Sequence, residues 1–316
     1  MMKTIVNLNF KVSAASAAWM LGFCISLFCK TLFASATDFS PIVGLGQESF
    51  SFTIQDVQTY EIKFEPNIAG VSRVGINAFG FGIGYSFRGG GKDLDPAKGS
   101  TEFFDLQLGY NTKLWGIDSF YQTYKGFYTS NTQTIQNFQN LSFTHYALIG
   151  RYALTTSEFS IGGLLDQSED ITTTASKYYV VGGFRYHTME TDQSLLQAEN
   201  TGLNSELEVL RKMKVTSINA GLGAGKYWVS SKKFFIGALL DLVGTIGTYD
   251  YENTNSSNKA VHPSLSFNLK IGTGYSGDVW KSGIGITADT TTLKTPGSSF
   301  IKPSSARFLL YVRAKF

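Results

Sequence analysis

The chain has 316 residues, 27 basic and 24 acidic, for a formal net charge of +3. Three lysines and no acids fall in residues 1–36, so 24 basic residues balance 24 acids in the rest, which excludes the electrostatic footprint of a nucleic-acid binder. Both cysteines, Cys24 and Cys29, lie in the same stretch, which excludes disulfides, thiolate metal sites and a cysteine nucleophile from the remainder.

Lys3 and Lys11 precede an apolar run over 12–29, and Ala34-Ser35-Ala36 comes after it. A basic start, an apolar middle and a small-x-small site make the pattern of a secretory signal, with cleavage expected near Ala36. The apolar run is also long enough for an uncleaved anchor. Beyond it, no apolar stretch approaches the roughly 18–20 residues that a membrane helix needs.

The rest of the chain is a series of period-two segments. Phe79, Phe81, Ile83, Tyr85 and Phe87 oppose Gly80, Gly82, Gly84, Ser86 and Arg88. Phe104, Leu106, Leu108 and Tyr110 oppose Asp105, Gln107, Gly109 and Asn111. Later, Phe234, Ile236, Ala238, Leu240 and Leu242 share a face opposite Asp241. Leu265, Phe267, Leu269 and Ile271 oppose Ser266, Asn268, Lys270 and Gly272. Alternation of this kind is strand patterning with one apolar and one polar face.

Strands are expected at 57–65, 68–78, 80–88, 101–111, 116–128, 141–153, 158–168, 175–188, 213–228, 233–250, 261–276, 278–292 and 304–316. Closed bacterial barrels have even strand numbers, so either 49–54 adds a strand or two segments merge. Loop lengths raise the same difficulty. Counted back from the C-terminus, long loops and short turns alternate correctly as far as 189–212. Beyond that the rule fails: 170–174, 131–140 and 89–99 fall on the short-turn side. Residues 204–213 are compatible with a helical turn or two.

A soluble sandwich alternates too. Here aromatics gather near strand ends, at Trp115, Trp228, Trp280 and Phe316 among others, which suits interfacial girdles. Polar faces mixing glycine with isolated charges suit a lumen. The expected fold is therefore a transmembrane antiparallel β-barrel of 12–14 strands. The expected division is a cleaved signal at 1–36, a periplasmic segment or first strand at 37–56, and the barrel over 57–316.

By alternation Asp105, Gln107, Asp118, Gln122, Arg151, Arg185, Asp241, Lys270, Asp289, Arg313 and Lys315 share the polar face. They would line a narrow aqueous path or knit a plugged interior by pairing across it. In the last strand Phe308, Leu310, Val312, Ala314 and Phe316 alternate with polar positions. Arg307, Arg313 and Lys315 there would point inward, toward acids such as Asp241 and Asp289.

Motifs for chemistry are weak. Gly221-Leu-Gly-Ala-Gly-Lys226 lacks the flanking Gly and Ser/Thr of a phosphate loop, with Ala220 and Tyr227 in those places. His145, His187 and His262 have no helical metal-ligand spacing. His187 and Ser176 sit at opposite ends of one strand, too far apart for a nucleophile and its base. No catalytic residue, metal or cofactor is expected.

A final strand ending in Phe resembles the signal by which bacterial outer-membrane barrels engage the assembly machinery. Four further segments carry a second likeness: Phe64-Glu-Pro-Asn67, Phe103-Phe-Asp-Leu-Gln-Leu108, Gly116-Ile-Asp118 and Tyr121-Gln-Thr-Tyr-Lys-Gly-Phe-Tyr128. Together they resemble the bacterial family known as domain of unknown function 4421, over 58–316 and most closely over 64–128. Phe64-Glu65 stand where Tyr-Arg is expected. The resemblance implies an outer-membrane barrel and brings no catalytic residues with it. The expected function is a non-enzymatic barrel, acting as a narrow passive channel or as a structural or surface barrel, with a lipid-modifying enzyme as the alternative. Expected partners are outer-membrane lipids and the barrel-assembly machinery, and no nucleic acid.

Overall fold

The computed structural model describes residues 39–55, 61–68, 70–88, 95–130, 135–167, 169–196, 205–231, 233–253, 257–295 and 299–315. The signal pattern at 1–36, residues 197–204 and Phe316 lie outside this set.

The described residues form one antiparallel sheet of fourteen strands. They are β1 (Phe39–Gln55), β2 (Glu61–Phe64), β3 (Val71–Ala78), β4 (Phe81–Arg88), β5 (Glu102–Asn111), β6 (Trp115–Ser130) and β7 (Ile135–Ala153). After these come β8 (Ala175–Glu190), β9 (Leu210–Ser231), β10 (Phe234–Asn253), β11 (Ser257–Ser276), β12 (Trp280–Thr291), β13 (Leu293–Lys294) and β14 (Phe300–Ala314). β1 pairs with β14 from Ile42↔Arg313 to Gln55↔Phe300, which closes the sheet into a barrel. Twelve strands make the ring; β2 and β13 are four- and two-residue additions. Closure removes both sheet edges, the condition a spanning sheet must meet in lipid.

Alternation sorts the faces. Along β10 burial alternates with exposure almost without interruption. Ile236, Leu240, Leu242, Ile246, Ile218, Leu222, Leu265 and Phe267 face outward and are exposed, forming the apolar belt of a transmembrane barrel. Phe308, Leu310 and Val312 join it on β14. Trp115 and Trp280 begin β6 and β12, and Trp228 lies near the end of β9. All three are exposed at the end of the barrel that carries Phe39 and Ala314, the terminal end.

The opposite, loop end is pinched. β3, β4 and β5 have only 8, 8 and 10 residues, whereas β9, β10 and β11 have 22, 20 and 20. Above the short strands β2 bridges the gap. It pairs with β1 over Phe52↔Phe64 to Gln55↔Glu61, and Glu65 then bridges to Tyr128 on β6. Of the 57–65 segment, 57–60 lie outside the described residues, and 61–65 are a cross-tie at the loop end and not a wall strand.

The 158–168 segment is also not a strand. It contains the six-residue helix α1 (Ile161–Asp166), within the connection from β7 to β8. Ser160 caps it by accepting from the Gly163 N–H at 2.9 Å. The connection turns back into the lumen from the terminal end and lies against β10, β11 and β12. Counting it as one connection restores the alternation of loops; without 57–65 and 158–168 eleven of the expected strands remain in the wall, and β1, which contains 49–54, is the twelfth. A second helix, α2 (Ser205–Val209), precedes β9 at the loop end.

Candidate functional site in the barrel lumen

Three layers fill the lumen. The loop-end layer is apolar. Phe50 and Phe52 of β1, Phe64 of β2, Tyr124 and Phe127 of β6, and Phe138 and Phe143 of β7 pack with Leu195, Leu207, Met213, Tyr249 and Ile301. Phe50 stacks on Tyr124 at 4.5 Å and Phe52 on Phe64 at 4.6 Å. Aromatic contacts at these separations leave little room for water between the rings.

The middle layer is a belt of buried charge. Arg151 donates from Nη1 to Asp118 Oδ2 at 2.5 Å and from Nη2 to Asp241 Oδ2 at 2.6 Å. Lys270 Nζ reaches the same Asp118 oxygen at 3.1 Å. Arg185 grips Asp289 with two parallel bonds of 3.0 and 2.9 Å, the bidentate geometry that gives both strength and direction. Arg307 pairs with Asp105 and with Glu48, whose Oε1 also accepts from Gln122 at 3.0 Å and Tyr124 at 2.8 Å. Paired charges of this kind are tolerated inside; losing one partner typically costs about 3–5 kcal/mol.

The terminal-end layer is the connection carrying α1. Phe159, Ile161, Leu164 and Ile171 pack on Ile149, Tyr179, Val181, Tyr227 and Leu239. Gly225 and Gly272 make its seat: a Cβ at Gly225 would meet the Phe159 ring, and one at Gly272 the Leu164 carbonyl. Polar ties lock it. Gln167 donates to Ser282 O at 2.8 Å and to the Tyr311 hydroxyl at 3.0 Å. Lys281 Nζ donates to Gln167 O at 3.1 Å and to Asp170 at 2.5 Å, and Lys315 Nζ to Asp170 at 2.8 Å. Partial burial acts to raise the Asp170 carboxyl, but the two lysines outweigh it and hold it below the ordinary carboxylate range.

Between the belt and the terminal rim lies a chamber of about 600 Å³. By register Arg73, Arg307, Gln107, Asn268, Lys270 and Asp289 line its inner part, and Asn77, Lys113, Glu169, Asp170, Arg313 and Lys315 the part nearer the terminal rim.

The structure thus gathers Asp105, Gln107, Arg151, Arg185, Asp241, Lys270, Asp289 and Arg313 on inner faces, while Lys315 sits at the rim. The partners on β14 differ from those expected. Asp241 and Asp289 are engaged by Arg151 and Arg185, three and four strands away around the ring. Arg307 instead pairs with Glu48, which stands directly opposite it on β1, and reaches Asp105 four strands away on β5. Sequence patterning does not mark Glu48 and Tyr124 as belt members. Glu48 shares its alternation with Phe50, Phe52 and Ile54, and an apolar face reads as lipid-facing unless the lumen itself is known to be apolar.

The histidines form no ligand set. His145 and His187 face each other across β7 and β8, with rings stacked at 4.3 Å, so they present ring faces and not lone pairs to one another. No group of three metal-ligating side chains occurs among the described residues. Ser176 and His187 are eleven residues apart on β8, far beyond hydrogen-bond reach at about 3.3 Å per residue. Gly221–Lys226 lies within β9 and presents no turn for phosphate.

A family model described as domain of unknown function (DUF4421) matches residues 45–316. The chain is a member of that family. The match begins inside β1 and takes in every later strand, so the matched unit includes the closing pair β1–β14. No curated protein matches in sequence. Among solved structures, the outer membrane protease OmpT from Escherichia coli aligns with a TM-score of 0.42 at 7% identity, covering 89% of this chain and 98% of that one. The translocator domain of the autotransporter NalP from Neisseria meningitidis gives 0.41 at 14% identity, covering 96% and 100%. The toluene transporter TodX of P. putida gives 0.30 at 9% identity, covering 96% and 92%. The barrel description rests on the strand pairings and not on these likenesses.

Proposed function

We propose that this member of the family resides in the bacterial outer membrane as a closed, non-conducting barrel, with the terminal end in the periplasm and the loop end outside. One observation carries the reading: the loop-end half of the lumen is filled by interlocking aromatic side chains from β1, β2, β6 and β7. A water-filled path needs polar walls with space between them, and this layer offers neither. Of the two expected roles, narrow channel and filled barrel, the packing supports the second. The lipid-modifying alternative draws no support from the separation of Ser176 and His187.

The apolar belt would meet outer-membrane lipids. The exposed face of β14, with Phe308, Leu310 and Val312, would meet the assembly machinery. Full-length protein reconstituted in a planar bilayer should insert without discrete conductance steps, with insertion confirmed by protease protection of the barrel. Reproducible single-channel steps would overturn the closed-lumen reading.

A further inference from the structure

We propose that the chamber below the charge belt is a binding site, entered from the terminal end, for a small organic anion that also carries hydroxyl groups. The proposal rests on the closed-lumen reading for the chamber's blind end; its chemistry comes from the wall. About 600 Å³ is the size of a small-molecule site and not of a stray packing gap.

The wall is sorted by charge. Arg73, Arg151, Lys270 and Arg307 line the inner chamber beside only two carboxylates, Asp118 and Asp289, while Arg313, Glu169 and Asp170 stand nearer the mouth. Three of the acids that balance the belt, Glu48, Asp105 and Asp241, are buried behind the lining and do not reach the chamber surface. The sum of charges is near zero, but a solute in the chamber is closer to the cations than to those three counter-ions. Coulomb energy falls with distance and with screening, so the nearer layer dominates and favours an anionic group.

The hydroxyl requirement comes from the neutral groups. Asn77 and Asn268 bring amides to the same space, beside Gln107 and Gln122, whose amides are engaged by Arg73, Asp105 and Glu48. Asn268 is only 8% exposed, and its Oδ1 has no hydrogen-bond partner while its Nδ2 lies 3.5 Å from Asp289 Oδ2. A buried acceptor left open in this way calls for a donor from the ligand or from water. A sugar acid or sugar phosphate supplies both groups: the anion for the guanidinium wall and hydroxyl donors for the amides. Leu309, Ile42 and Ile149 give it a small apolar floor.

Detergent-purified full-length protein would be titrated calorimetrically with D-gluconate, glucose 6-phosphate, D-glucose and acetate. Gluconate or glucose 6-phosphate should bind at least roughly tenfold more tightly than glucose, which lacks the charge, and acetate, which lacks the hydroxyls. Comparing the two anions distinguishes a carboxylate from a phosphate ligand. Arg73→Gln should weaken anion binding by roughly tenfold, and Asn268→Asp should abolish it by placing a negative charge in the chamber. Unchanged melting of each variant shows that the barrel is intact. If Asn268→Asp fails to fold, Arg73→Gln carries the decision. Equal binding of glucose and gluconate, binding indifferent to Arg73→Gln, or no binding of any probe would overturn the proposal. Silent bilayers with no binding would sink this proposal alone, whereas conductance steps would sink the closed lumen itself.

Discussion

Asn67 does more for the short side of the barrel than its size suggests. It is buried, and its N–H donates to Thr101 Oγ1 at 2.8 Å. Its Nδ2 donates to Asp95 O at 2.9 Å and Gly99 O at 2.6 Å. Thr101 in turn donates to Gly126 O at 2.7 Å. One amide thus ties residues 95–101, which lead into β5, to one another and through Thr101 to β6. Asn67→Ala removes the amide donor from two partly buried carbonyls, of which Asp95 O keeps its bond from the Lys98 N–H, and should cost about 1 kcal/mol. The measurement is tryptophan fluorescence in a urea series, with faster proteolysis around 95–101 as the local sign. A midpoint equal to that of the unmutated chain would show that water replaces the amide. The Pro66-Asn67 pair is visible in the sequence as part of a family likeness, but not the bonds it makes, because all three partners lie 28 to 34 residues away.

Among elements, α1 and its flanks show where strand patterning misleads. Phe159, Ile161 and Ile171 fit an alternating strand as well as they fit a short plug. A helix of six residues is too short for its 3.6-residue period to declare itself. The better clue lies in the glycines of other strands, Gly225 and Gly272, since a small residue on an inner face marks something packed against it. The latch at Asp170 makes this element sensitive to acid. Its carboxyl is held below the ordinary range in the folded chain, so the latch contributes fully above the unfolded value and is lost as pH falls through the folded one. A fluorophore on Thr156→Cys should gain mobility on acidification through and below the ordinary carboxylate range. Asp170→Asn should show that mobility already at neutral pH and little further change. If the two proteins trace the same curve, the lysines are not holding the connection through Asp170.

For the whole molecule, the closed all-β architecture is legible because alternation repeats through almost every segment. The division of the interior is not. Reading apolar as outward holds for β9 to β12 and for β14 near its C-terminus. It inverts at the loop end, where Phe50, Phe52 and Ile54 face into the barrel. Two solvents compete for the same side-chain types, lipid outside and a packed layer inside, and alternation alone does not say which has won. Polar residues in the belt are assigned to the inner face more readily, since lipid rejects them.

The seam between β1 and β14 sets a rule for the life of the chain. Its pairing runs from Ile42 with Arg313 to Gln55 with Phe300, so no product that stops early can form a ring. A truncated chain would expose the unpaired backbone of β1 along one margin and β12 along the other, in a solvent that forgives neither. Stable insertion thus requires β14 to be present and paired with β1. Deleting 300–316 should leave material that is exported but not retained in the membrane fraction, and that is degraded quickly in a pulse-chase. A stable, membrane-retained remnant would mean that β12 and β1 can seal directly.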